Sequence, residues 1–257
     1  MHLAAGSESL MLAPPPSLDP RAHALFLDLD GTLAPIAPRP EDVTGDPGLS
    51  RLLQALADAF GGRVAVLSGR TVADVDRITG GTVRAVAGVH GLERRAPDGR
   101  LERSEPPTTL REAKAAFDDF ARGRPGVLVE DKGLGLGLHF RNAPEAGPEA
   151  VRLATRLERE LGLEHQPGSM VEELRAPGGG KDEALTRFMA EPGFSGVPPV
   201  AVGDDLTDEA MFIAALRLGG YGVVVGPRMP TSASHRLPSV ADARAWLEAL
   251  VGEAARP

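Results

Sequence analysis

The feature that most constrains this chain is Ala24 to Leu33, ALFLDLDGTL, a short apolar run that empties into two acids, a glycine and a threonine. Such a run, closed by turn chemistry, reads as a buried strand leading into a loop. The pattern recurs along the chain. A helix is expected over Pro47 to Phe60, a second apolar strand over Arg63 to Leu67 ending in Ser68-Gly69-Arg70, a short helix over Thr71 to Ile78, and a third strand over Arg84 to Val89 ending at His90-Gly91. Strand and helix in alternation predict an α/β fold with a doubly wound, Rossmann-like parallel-sheet core.

From Pro106 the texture changes. Leu110 to Arg122 and Pro148 to Leu161 read as helices, Val127 to Lys132 and Leu136 to Arg141 as a hairpin about Gly133 and Gly135, and Leu163 to Arg175 as two further strands. Antiparallel hairpins have no natural place in a doubly wound sheet, so residues 106–177 are expected to form an inserted α+β cap domain. After Pro177 the α/β rhythm returns: Lys181 to Ala190 helical, Val197 to Val202 a strand, Glu209 to Leu216 helical, Gly222 to Val225 a strand and Ser239 to Leu250 a last helix. The core is therefore expected over 21–105 and 178–257, with residues 1–20 a flexible leader.

Composition narrows the chemistry. The chain has 257 residues, 42% of them hydrophobic, and no cysteine, which removes thiol nucleophiles, disulfides and thiolate metal sites. A net charge of -8 and only eight Phe, one Tyr and one Trp argue against nucleic-acid binding, which needs a basic face or stacking platforms. The longest apolar run, Ala210 to Leu216, falls far short of the ~20 residues that cross a bilayer. The N-terminal stretch lacks the charged start and long apolar centre of a signal peptide, so a cytoplasmic protein without membrane partner is expected, and a monomer. Of 28 basic residues only Lys114, Lys132 and Lys181 are lysine, which singles those positions out.

Asp28 and Asp30 stand two apart where the first strand ends, and ligands of open α/β sheets sit beyond the carboxyl ends of strands. A second acidic cluster, GDDLTDE from Gly203 to Glu209, follows a later strand. Asp208 or Glu209 suits the first turn of a helix, but four acids so close exceed what capping needs. If the clusters converge, carboxylate repulsion calls for a cation, and oxygen ligands alone favour Mg²⁺. Lys181 follows three glycines at a helix start, where the macrodipole disfavours a cation, so a functional reason is expected for it.

DxDGT on a first strand, a serine ending a second, a single lysine and GDD together resemble the haloacid dehalogenase superfamily of phosphohydrolases. Closer still, SGR at Ser68 to Arg70, GVHG at Gly88 to Gly91, EDK at Glu130 to Lys132, HFR at His139 to Arg141, ELR at Glu173 to Arg175 and GDDLTDE resemble the trehalose-6-phosphate phosphatases. The likeness runs from about Leu25 to Leu250. One departure is Ala176, which separates ELR from Pro177. The resemblance implies Asp28 as nucleophile, Asp30 as acid/base, and Ser68 and Lys181 as phosphate partners. Mg²⁺ is then held by the Asp28 carboxylate, the Asp30 backbone carbonyl and Asp204, with Asp205 or Asp208 orienting these ligands.

A carboxylate can attack phosphorus and split hydrolysis into two easier steps. Phosphoryl transfer also needs cationic and hydrogen-bonding partners for its equatorial oxygens. In the insert, Glu130 with Lys132, His139 with Arg141, and Glu173 with Arg175 each lie two apart on a strand and so share a face. Charged groups of both signs read sugar hydroxyls, and the expected sugar-phosphate contacts are Ser68, Gly69, Arg70, His90, Glu130, Lys132, His139, Arg141 and Glu173. A solvated face of cross-strand ion pairs is the alternative there, and His90 is equally well a buried, satisfied histidine. Other sugar phosphates such as sucrose-6-phosphate or mannosyl-phosphoglycerate, a phosphosugar mutase, and a non-catalytic sensor are alternative functions.

Overall fold

The computed structural model describes residues 12–254. The first elements are β1 (Ala24–Leu27), α1 (Pro47–Ala59), β2 (Val64–Leu67), α2 (Val72–Thr79), β3 (Ala85–Gly88), β4 (Glu93–Arg95) and β5 (Leu101–Arg103). There follow α3 (Leu110–Ala121), β6 (Leu128–Asp131), β7 (Gly135–His139), α4 (Gly147–Leu161), β8 (Glu164–Gly168) and β9 (Val171–Arg175). The chain closes with α5 (Lys181–Met189), β10 (Pro199–Gly203), α6 (Leu206–Arg217), β11 (Tyr221–Val225), β12 (His235–Leu237) and α7 (Val240–Ala254).

The larger sheet runs β12-β11-β10-β1-β2-β3-β4-β5, parallel from β12 to β3. Successive residues of β1 point to opposite faces, as a strand requires. Leu25 and Leu27 pack with Leu53, Val75 and Leu247 of α1, α2 and α7, whereas Ala24 and Phe26 pack with Leu185, Phe188 and Phe212 of α5 and α6. Both faces are thus covered, and the sheet is doubly wound as expected. Phe26, Phe188 and Phe194 form a tilted cluster with ring centroids 5.7 to 6.4 Å apart, so three of the few aromatics concentrate in one layer. Each such side chain, fully buried, contributes ~1.5–3 kcal/mol.

The sheet departs from expectation at one edge. β4 and β5 form an antiparallel hairpin on β3, within the segment expected to be parallel core. The reversal comes from Val89, His90 and Gly91, which all take left-handed φ of 45°, 53° and 94° and fold the chain back on itself. β12 is also unanticipated, and α6 begins at Leu206 instead of Glu209 because Asp205 supplies its N-cap. Part of the expected leader lies outside the described residues, namely 1–11. Residues 12–20 are not loose: Leu18 is buried in the core, Ala13 O accepts from Arg236 N, and Arg63 donates to Pro20 O.

The second sheet, β6-β7-β9-β8, is antiparallel throughout and lies within the predicted insert. Leu136, Leu138 and Leu174 face α3 and α4, packing on Phe117, Ala154 and Leu157. The opposite face is polar. There the register aligns Glu130, Gly137, Glu173 and Gln166 in one row across the four strands. A Cβ on Gly137 would stand 2.9 Å from His139 Nε2, so the glycine opens a trough between the flanking carboxylates.

Candidate active site

Parallel strands end at one edge, and the core uses that edge for its chemistry. Asp28, Ser68 and Asp204 each follow the last residue of β1, β2 and β10, so adjacent strands deliver them side by side. Gly31 turns the chain beyond β1 at φ 80°, and a Cβ there would sit 2.1 Å from Asp204 Oδ2. Glycine in DLDGT is therefore required twice, for its backbone conformation and for the approach of the second acidic cluster. Thr32, fully buried, holds its hydroxyl 3.1 Å from Asp28 Oδ2 and 3.3 Å from Asp204 Oδ1.

Lys181 opens α5 and donates to Asp28 Oδ1 at 2.6 Å and Asp208 Oδ1 at 2.7 Å. Asp208 is completely buried, and its other oxygen accepts from the backbone N–H of Asp204 and Asp205, both at 2.9 Å. With both oxygens engaged, Asp208 orients Asp204 and Lys181. Asp205 instead caps α6 and lies 3.8 Å from Arg228. Of the two orienting candidates, it is the Asp208 side chain that bonds both Lys181 and Asp204.

Oxygens of Asp28, Asp204 and Asp208 lie within 4.8 Å of one another, three carboxylates facing one ammonium. Burial and the neighbouring Asp208 and Asp204 push the Asp28 carboxyl well above the usual range, against the pull of Lys181. Burial and Asp208 likewise push Asp204 up to about 7. Lys181 is held protonated: burial works against the charge, but Asp208 and Asp28 more than offset it. A crowded oxygen set short of positive charge is the donor chemistry a hard divalent cation fits.

Ser68 is buried, and its hydroxyl accepts from Arg70 N at 3.1 Å. A Cβ on Gly69 would meet His90 Nε2 at 2.7 Å, so this glycine lets His90 reach across. Asp30 receives a bidentate grip from Arg70, Nε to Oδ2 at 2.6 Å and Nη2 to Oδ1 at 2.8 Å. The Arg70 guanidinium, which lines the cleft, also donates to Pro40 O, 2.9 Å away.

The polar face of the second sheet roofs this floor. Lys132 Nζ donates to Glu173 Oε1 at 2.6 Å and lies 3.8 Å from Glu130 Oε2, and His139 Nε2 pairs with Glu130 Oε2 at 2.8 Å. His90, from the core, meets Glu173 Oε2 at 3.0 Å and so links floor to roof. Burial alone would raise the Glu173 carboxyl, yet Lys132 and His90 hold it far below its ordinary value. Arg141 donates to Ser169 O at the β8–β9 turn, while His139 pairs with Glu130. Arg175 is turned away, to Gly178 O and Glu164.

Floor and roof face one another across an open cleft. Asp28, Asp30, Asp204, Asp205, Ser68, Gly69, Arg70, His90, Glu130, Lys132, His139, Arg141, Glu173 and Lys181 all line it. Asp208 lies beneath the surface. Sequence reasoning passed over Thr32, although it stands within the acidic motif, and over Gln166 and Ser169 at the roof and Ile36 at the mouth. The row shared with Glu130 and Glu173 is the signal that would have found Gln166.

The trehalose-phosphatase family model matches residues 26–241. A probable trehalose-phosphate phosphatase of Sinorhizobium fredii is 37% identical over 232 residues, covering 88% of this chain and 87% of that one. The trehalose-6-phosphate phosphatase of Escherichia coli K12 is 38% identical over 230 residues, covering 88% and 85%. The C-terminal domain of Candida albicans trehalose-6-phosphate phosphatase shares the fold, with TM-score 0.81 over 91% of this chain and 93% of that one at 22% identity. A trehalose-6-phosphate phosphatase related protein superposes with TM-score 0.73 at 26% identity, over 90% and 97%. With this geometry and these likenesses, the chain belongs to the trehalose-phosphatase family, phosphoric monoester hydrolases built on the haloacid dehalogenase fold.

Proposed function

We propose that this protein hydrolyses trehalose 6-phosphate to trehalose and inorganic phosphate, with Mg²⁺ and through an aspartyl-phosphate intermediate, as the closing step of trehalose synthesis. The observation that carries this reading is one cleft with two chemistries: Asp28, Lys181, Asp204 and Ser68 at its floor, and the Glu130, Lys132, Glu173 network at its roof. The floor suits a phosphate and the roof a polyol, and the cleft joins them.

In this reading Asp30 first takes up a proton from solvent on a lone pair that Arg70 leaves open; Asp28 then attacks phosphorus in line, the P–O bond to the sugar breaks, and that proton goes to the departing oxygen. Water then enters, gives a proton to Asp30 and forms a bond to phosphorus as the Asp28–phosphorus bond breaks, releasing phosphate. Lys181 and the Ser68 hydroxyl hold equatorial phosphate oxygens. Mg²⁺, held by the Asp28 and Asp204 carboxylates and the Asp30 carbonyl, supplies positive charge for phosphate and nucleophile. Asp208 keeps Asp204 and Lys181 aimed. Residues 106–177 act as a cap that reads the sugar and excludes water, over a core of 21–105 and 178–257. We take the protein to act as a monomer.

The test is release of inorganic phosphate across a panel of disaccharide and monosaccharide phosphates. Preference for trehalose 6-phosphate supports the assignment, and a preference for sucrose 6-phosphate or glucose 6-phosphate rejects it. Phosphoryl return to sugar without net phosphate release would identify a mutase, and no turnover of any ester a sensor.

A further inference from the structure

Arg70 is nearly buried at the wall of the cleft, and three of its five guanidinium N–H groups are already committed to the protein. Its guanidinium spends two N–H groups on the Asp30 carboxylate and a third on Pro40 O, thirty positions away along the chain. The backbone beneath it is equally fixed. Arg70 N donates to Ser68 Oγ, Arg70 O accepts from Val89 N at 2.8 Å, and a Cβ on Gly88 would stand 2.7 Å from Arg70 O. The base of the side chain is thus pinned by the end of β3 and its head by the turn at Pro40. Between these anchors the fork meets Asp30 in the planar, two-bond geometry that fixes a carboxylate in direction as well as position.

Asp30 itself lies in a loop beyond β1, where nothing else among the described residues bonds its carboxylate. From the reading above, the sugar oxygen leaves phosphorus at the apical position opposite Asp28, and the attacking water later enters at that same position. One carboxylate held in one place therefore serves both proton transfers. A carboxylate free to rotate would serve neither well, since misplacement by about 1 Å can cost ~10²-fold in rate.

We propose that Arg70 is the positioning residue of Asp30 and not a contact of the sugar. The proposal rests on the function proposed above, and it assigns to the SGR segment a role in both half-reactions: Ser68 at the phosphate and Arg70 behind the acid/base. Lysine would keep the charge at this place but not the fork, so it restores only part of the effect.

The deciding experiment is a double-mutant cycle in the full-length protein, using R70A and R70K with and without D30N. Single-turnover phosphate release and steady-state constants are read on trehalose 6-phosphate. R70A should lower kcat by ~10²-fold and leave KM within about threefold, the pattern of a group that acts on the transition state alone. R70K should recover part of the lost kcat. In the D30N background R70A should cost less than about twofold more, because residues that act as a unit are non-additive. A raised KM with kcat intact would make Arg70 a sugar contact, and the same loss in both backgrounds would make it independent of Asp30; either overturns the proposal. If R70A does not fold, a fall in kcat at constant KM in R70K, absent in R70K with D30N, decides the matter. Should another sugar phosphate be preferred, the substrate assignment falls while the cycle on that ester still tests Arg70.

Discussion

Lys181 Nζ lies 2.6 Å from Asp28 Oδ1, a buried contact across 153 positions of chain. It places the one ammonium of the floor on the carboxylate proposed as nucleophile, with Asp208 on its other side. The ammonium therefore offsets carboxylate repulsion at the floor, and on the proposed mechanism it would stand beside the phosphate that Asp28 attacks. On the proposed mechanism, fold stability and turnover would draw on the same contact.

Variants at the two residues should separate these contributions. Asp28→Asn keeps shape but is not a nucleophile, so turnover should fall beyond ~10³-fold. It also removes one of three crowded carboxylates, so its melting temperature should equal or exceed that of wild type. Lys181→Met leaves Asp28 and Asp208 buried without a counter-charge, a loss of ~3–5 kcal/mol, so it should melt well below wild type as well as lose activity. Calorimetry beside a phosphate assay reads both. Undiminished kcat in Asp28→Asn would end the aspartyl-phosphate mechanism.

If Asp204 holds the proposed Mg²⁺, its raised carboxyl should make that binding depend on pH. A carboxylate whose pKa rises on folding, here to about 7, adds stability below its unfolded value and loses it as pH climbs through the folded one. In EDTA, the melting temperature should therefore carry a downward component between about pH 4 and pH 7 that Asp204→Asn removes. Mg²⁺ needs the ionised form, so its affinity should rise by up to about tenfold per pH unit below 7 and level off above. Chelation should silence the enzyme and Mg²⁺ restore it, while Ca²⁺, with its looser shell, should inhibit. Full activity after thorough chelation would remove the metal from the mechanism.

Much of this was legible in the sequence because it is local. Apolar runs such as ALFL and VAVL mark strands, and acids at their ends mark the floor. Alternation placed Glu130, Lys132 and Glu173 on one face. Contacts set by long-range packing were not legible. β4, β5 and β12 have only three residues each, with charges where a periodic pattern would need apolar groups. Arg94 in β4 is buried because it stacks 4.3 Å over Phe188, which no local rule anticipates. Nor does spacing reveal that Arg70 turns back to Asp30, or which of Asp205 and Asp208 reaches under the cluster.

The burial of His90 and the low-lying carboxyl of Glu173 should make stability fall in acid. Burial lowers the His90 imidazole from 6.5, so the unfolded chain takes up a proton that the folded one resists. Glu173, with its carboxyl held low, adds stability above about 4.5 that is lost as pH falls further. His90 has left-handed backbone, which asparagine tolerates. His90→Asn should thus lose less stability than wild type on acidification below about pH 6.5, and Glu173→Gln less below about 4.5. Parallel melting curves against pH for all three proteins would show that neither residue carries such linkage.

On the proposed reading the floor handles only phosphate and cation, which every sugar phosphate presents alike, so substrate choice should come from the roof. Lys132 is the centre of the roof: it donates to Glu173, lies near Glu130, and is held protonated by these neighbours against the cost of burial. Removing Lys132 leaves Glu173 with His90 alone, and removing Glu130 leaves His139 without its partner. Each loss leaves a desolvated group or a sugar hydroxyl unpaired, at ~1–3 kcal/mol. A small ester such as p-nitrophenyl phosphate does not extend to the roof. Glu130→Ala and Lys132→Ala should therefore cut kcat/KM for trehalose 6-phosphate at least ~10-fold, the equivalent of 1.4 kcal/mol, while turnover of the small ester stays within about twofold. Equal losses on both esters would mean that these residues support the fold of the cap, and the recognition of the sugar would have to be sought at Gln166, Ser169 and Ile36, which line the same cleft.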